Sequence, residues 1–128
     1  MKVNFMVMCE YATQQANGSP ILCGIFRGIT TETLPARLAP FWLALEIEAE
    51  PHEAGEHHFS LRFVDEDGNI FFEDHLIGQF KRRPDLSPSY LYMAETIEVR
   101  KEIEKRGTYR FDMVWNDQVL GQLRLEVS

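Results

Sequence analysis

The sequence predicts an all-β fold: a two-sheet antiparallel β-sandwich of about eight strands, formed as one domain. Three observations carry this expectation. Apolar residues recur at every second position in most segments, turn-forming Gly, Pro, Asn and Asp interrupt them at hairpin spacing, and no segment sustains a helical period. Strands without helices to cover them bury their apolar faces by stacking sheet on sheet. The length of 128 residues suits a single core, with residues 1–128 as one unit.

The first strand is expected from Val3 to Ala12, with Val3, Phe5, Val7, Cys9 and Tyr11 on one face. Lys2, Asn4, Met6, Met8 and Glu10 take the other, which the two methionines make partly apolar. A turn cluster at Asn17–Pro20 leads into a returning strand over Ile21–Ile29, loosened by Gly24 and Gly28. Thr30–Leu38 is a connecting loop. After Pro40, Phe41, Leu43, Leu45 and Ile47 alternate with Trp42, Ala44, Glu46 and Glu48, the clearest half-buried strand in the chain. The polar stretch Pro51–Glu56 precedes Phe59, Leu61 and Phe63, and the turn Asp65–Asn69 joins these to Ile70 and Phe72. Gly78–Ser89, which contains Pro84 and Pro88, reads as a long surface loop. Leu91–Val99 returns to strand, and Arg100–Arg106 reads as an irregular connection.

The last hairpin permits a register argument. Tyr109, Phe111, Met113 and Trp115 share one face, as do Val119, Leu123, Leu125 and Val127 on the following strand. A two-residue turn at Asn116 and Asp117 would set Phe111 opposite polar Gln122. A three-residue loop through Gln118 pairs Phe111 with Leu123 and Tyr109 with Leu125, and is the register predicted.

With 13 basic and 20 acidic residues, the formal charge of -7 repels phosphate backbones and anionic membrane surfaces, so neither nucleic acid nor membrane is expected as a partner. Glu10 and Tyr11 interrupt the N-terminal apolar stretch before a signal-peptide core can form, which gives a cytoplasmic expectation. There Cys9 and Cys23 would stay reduced and serve as small core residues.

No coherent catalytic set emerges. Asp65, Asp67 and Gly68 resemble part of a calcium loop but lack its distal glutamate, and a tight hairpin needs the same residues. His52, His57, His58 and His75 stand at no zinc-motif spacing, and adjacent His57 and His58 point to opposite faces of a strand. Cys9, Cys23 and the serines lie in no nucleophile elbow, and Glu46, Glu48 and Glu50 read as a solvated face. No metal and no cofactor is expected, and the reading favours a non-enzymatic module over an enzyme. Lys81, Arg82 and Arg83 concentrate positive charge in an acidic chain, with Tyr90 nearby as a stacking surface, a combination suited to an anionic ligand or acidic partner. Met6, Met8 and Trp42 are apolar at outward positions, so their strands are either covered within the molecule or pair with another chain. These residues make a protein partner or self-association the leading expectation. The competing expectation is a small-ligand sensor or enzyme with a site at one sandwich end, where Gly78–Ser89 could meet His52–His58. Trp42 and Trp115 could stack on sugar rings, but the core-facing pattern of Trp115 counts against that use.

The segments CEYA at Cys9–Ala12, ILCGIF at Ile21–Phe26, VDEDGNI at Val64–Ile70 and GTYRFDMVW at Gly107–Trp115 occur in an order that resembles a family of small bacterial proteins known only as a domain of unknown function. The resemblance implies a β-sandwich and a bacterial origin, and brings no catalytic residues.

Overall fold

A computed structural model describes residues 1–128. It contains nine strands: β1 (Lys2–Gln14), β2 (Pro20–Phe26), β3 (Gly28–Ile29), β4 (Phe41–Ala49), β5 (Gly55–Val64), β6 (Ile70–Phe80), β7 (Ser89–Ile97), β8 (Gly107–Trp115) and β9 (Gln118–Val127). They form two facing sheets, ordered β2-β1-β4-β7 and β3-β9-β8-β5-β6. The expected sandwich is present, with one strand more than predicted. The segment read as a single strand over Ile21–Ile29 breaks at Arg27, and its last two residues cross to the other sheet, where β3 pairs in parallel with β9. All other pairings are antiparallel.

Alternation in β4 sends Phe41, Leu43, Leu45 and Ile47 inward against Phe59, Leu61, Phe63, Phe111, Met113 and Leu125 from the opposite sheet. Each such side chain contributes roughly 1.5–3 kcal/mol when fully buried. Phe63 lies at the centre, its ring centroid 4.6 Å from that of Phe111 and 5.7 Å from those of Tyr109 and Phe72. Tyr109 also donates its hydroxyl hydrogen to the Lys105 carbonyl at 2.7 Å, four residues upstream. This is the tyrosine corner of sandwich domains. Written as A, B, C, C′, E, F and G, strands β1, β4, β5, β6, β7, β8 and β9 lie as A-B-E and G-F-C-C′. That order is immunoglobulin-like; β2 is an addition at the edge of the first sheet.

Two bulges change which residues face inward. The pairing of β1 with β4 shifts between Val3 and Phe5, so one inserted residue reverses the alternation downstream. Met6 and Met8 consequently join the core, whereas Phe5, Val7 and Cys9 face outward. In the last hairpin the predicted pairs Phe111–Leu123 and Tyr109–Leu125 are present, but the three-residue loop is not. Asn116 and Asp117, with φ of 48° and 59°, make a two-residue turn, and Trp115 pairs with Gln118. An extra residue at Leu120 then corrects the register, with Val119 opposite Val114 and Gly121 opposite Met113. Val119 is thereby turned to solvent. The expected loop over Gly78–Ser89 also contracts, since β6 extends to Phe80 and β7 begins at Ser89.

Past Cys9, β1 leaves β4 and continues as an arm paired with β2 alone. Gly24 in β2 has φ of +69°, and a Cβ there would lie 2.8 Å from Cδ of Glu10, so a residue with a side chain does not fit this bend. The arm folds over the outer face of the first sheet. Its Ala12 and Leu22 pack with Cys9, Ala44 and Trp42, which leaves Ala44 fully buried on a face that would otherwise be wet. Tyr92 on β7 holds the arm by donating to the Thr13 carbonyl at 3.4 Å.

Candidate functional site

The residues singled out by sequence fall in three places. Met8 has no accessible surface and Met6 packs against the core, because the β1 bulge turns both inward; neither is available to a partner. Trp42 lies on the outer face, half-buried under the arm, with the Tyr11 ring edge-on at 5.8 Å. Lys81, Arg82 and Arg83 are exposed in the β6–β7 loop. Arg83 is paired with Asp85 at 3.8 Å, whereas Lys81 and Arg82 take part in no ion pair. The loop is held by local bonds: Ser89 donates its hydroxyl to the Lys81 carbonyl, and Asp85 accepts from the Ser87 hydroxyl at 2.6 Å and its amide at 3.0 Å. The Ser87 bonds hold the Asp85 carboxyl below its ordinary pKa of 3.8. Tyr90 is 56% exposed and pairs across strands with Glu48.

The end of β6, just before this loop, meets the histidine segment, since Gly55 pairs with Phe80 and His57 with Gly78. His57 is engaged there by two groups: its Nδ1 accepts from Trp115 Nε1 at 3.3 Å, and its Nε2 lies against the Glu53 carbonyl and is therefore the protonated nitrogen. His58 points the opposite way, beside Glu56 at 3.1 Å. Nowhere do three or more His, Cys, Asp or Glu side chains gather as a metal site would require. A cleft lies instead near the opposite end, lined by Asp65, Glu66, Asp67, Lys105, Arg106 and Tyr109. Its volume is about 100 Å³, and it adjoins a more open cleft of about 390 Å³ lined by Asp65, Asn69, Phe71, Lys101, Glu104 and Tyr109. Glu66 is already engaged, accepting the Thr108 amide at 2.6 Å.

A fourth feature was not singled out by sequence. Strand β2 is the free edge of the first sheet, bonded to β1 on one side only. Ile21 and Ile25 are 38% and 56% exposed, and Cys23 between them is an exposed free thiol, contrary to its expected place in the core. The other edges are blunted. Strand β6 carries Glu73, Asp74 and His75, β7 carries Glu95, and β3 is two residues long. Strand β2 has no charged residue at all.

A family model matches this chain over residues 4–128. The chain belongs to DUF6941, a family of unknown function. No curated protein matches the DUF6941 chain in sequence. Among solved structures it is similar to a beta-glucosidase from Listeria innocua in complex with isofagomine, at 8% identity and a TM-score of 0.50 over 79% of this chain. The DUF6941 chain spans only 14% of that enzyme's length, so the likeness concerns the sandwich fold and not the reaction. An immunoglobulin-like protein from Pseudomonas aeruginosa aligns over 99% of this chain and 95% of its own, with 10% identity and a TM-score of 0.49.

The edge strand of the DUF6941 domain did have a signature in the sequence. From Tyr11 to Phe26 the chain runs for sixteen residues without Asp, Glu, Lys, Arg or His, although 26% of the whole is charged. Charge depletion along a hairpin is a signal distinct from apolar periodicity, and marks a strand not protected against pairing.

Proposed function

We propose that this DUF6941 domain is a non-enzymatic protein-binding or assembly module acting through the free edge of β2. The observation that carries this reading is the uncharged edge itself: a seven-residue strand bonded on one side only, with alternate backbone groups directed to the open side and Ile21 and Ile25 exposed along it. Such an edge offers main-chain hydrogen bonds for affinity and alternate side chains for selectivity, which is the chemistry of strand addition. Where the end of β6 meets the histidine segment, His57 has both ring nitrogens engaged by Trp115 and the Glu53 carbonyl, which weighs against the small-ligand alternative there. The exposed cations Lys81 and Arg82, beside Tyr90, support a second contact with an acidic segment of the same partner, and a cytoplasmic setting fits the free thiol of Cys23.

The test is a comparison of two variants in chemical cross-linking with mass spectrometry. Ile21→Lys/Ile25→Lys places charge on the β2 edge, and Lys81→Glu/Arg82→Glu/Arg83→Glu reverses the loop. The reading predicts that the edge variant loses the cross-links formed by the parent and the loop variant weakens them. Cross-links unchanged in both variants contradict it.

A further inference from the structure

Deepening the reading of β2 as a docking edge, and resting on it, we infer that its occupant is the β2 strand of a second copy of this chain, paired antiparallel about a two-fold axis at Cys23.

The strand is its own complement. Along Ile21, Leu22, Cys23, Gly24 and Ile25, antiparallel pairing centred on Cys23 sets Ile21 opposite Ile25 of the second copy, Cys23 opposite Cys23, and Ile25 opposite Ile21. Ile21, Cys23 and Ile25 are all exposed, with the Gly24 bend between the last two. A one-residue slip would instead oppose exposed Ile25 with Leu22, which packs in the cluster beneath the arm, so the symmetric register is the one that joins exposed residues to each other.

Charge points to the same occupant. Two copies carrying -7 each repel over most approaches, and like charges set face to face cost more still. The run Tyr11–Phe26 is the stretch over which this acidic chain presents no charge, so two copies can touch along it without that penalty. A partner selected by opposite charge would gain nothing there. The pairing is also weak by size. Joining two seven-residue edges buries on the order of 500 Å², about half of what a stable interface needs, so the pair exchanges rapidly and fills with concentration. Directly opposed residues in an antiparallel pair have Cα atoms about 4.5–5.5 Å apart, within the span of a disulfide. Cys23 therefore reports on the pairing, while buried Cys9 does not.

The experiment is oxidation of the purified full chain with diamide across a concentration series. Two Cys23 thiols would form one S–S bond, their two electrons and two protons passing to the N=N bond of diamide. The expected result is a covalent dimer whose yield rises with protein concentration, is absent in Cys23→Ser, and falls about tenfold or more in Ile21→Lys/Ile25→Lys, which opposes lysine to lysine. Circular dichroism confirms that the variants remain folded. A dimer yield that the lysines leave unchanged reflects collision of exposed thiols and overturns the inference. A parent that stays monomeric also overturns it; edge-dependent cross-links to a different protein would in that case preserve the binding-module reading, and their absence would remove both.

Discussion

Gly78 sits where β6 comes against β7, and a Cβ there would lie 2.6 Å from Leu91 Cδ2 and 3.1 Å from Phe59 Cε2. Leu91 has some freedom to move, but Phe59 is locked in the core, so Gly78→Ala is expected to cost about 1–2 kcal/mol through overpacking. A lower urea midpoint at unchanged m-value would register it. Across the same margin, burial and then the neighbouring Asp74 carboxylate raise the pKa of Glu95 above its ordinary 4.5. The folded chain thus holds this proton to higher pH than the unfolded chain does. Its stability falls as pH rises through the window above 4.5. Glu95→Gln removes that slope: thermal melting should place the variant above the parent near pH 7, with the gap closing as pH drops below about 4.5. The opposite sign holds for Asp65, whose pKa is lowered by the Asn69 side-chain hydrogen bond; its contribution is present above pH 3.8 and is lost as pH falls below that value.

The β8–β9 hairpin shows how an element can keep its register by a route the sequence conceals. Asn116 and Asp117 both occupy left-handed conformations, which glycine adopts without strain, so Asp117→Gly is expected to add about 0.5–1 kcal/mol to the unfolding free energy. Deleting Leu120 while keeping the turn removes the bulge yet leaves Phe111 opposite Leu123 and Tyr109 opposite Leu125, so far-ultraviolet circular dichroism should show the fold retained. The pairing of Phe111 with Leu123 was legible because burial of one face demands it; the bulge was not, because a longer loop satisfies the same demand. The same limit applies at β1. Phe5, Met6, Val7, Met8 and Cys9 are all apolar, so alternation fits either phase, and only the bulge after Val3 decides that the methionines go inward. In β4 the contrast of Leu45 and Ile47 with Glu46 and Glu48 left no second phase, and the predicted face is the observed one. The basic loop was legible in place and exposure, but its length was not. Residues 78–80 continue a strand because Gly78 and Phe80 fit beneath β7, a contact that local sequence does not carry.

At the scale of the whole molecule, an immunoglobulin-like frame seals its own core and then adds an uncharged arm that covers one outer face and leaves a strand edge open. The frame accounts for where the core lies, and the arm accounts for the buried outer face and the open strand edge. Two surfaces follow from the charge distribution: a neutral edge at β2 and a small basic loop at residues 81–83, set in a chain of net charge -7. If the edge is the working surface, binding must change the solvent exchange of its backbone before that of any other segment. Amide hydrogen exchange of the full chain, followed residue by residue as its own concentration or a cross-linked partner is raised, tests this most directly. The account predicts that amides on the open side of Ile21–Phe26 exchange rapidly in dilute protein and become protected on binding. Protection that appears instead at Lys81–Tyr90, with β2 still exchanging freely, would contradict it.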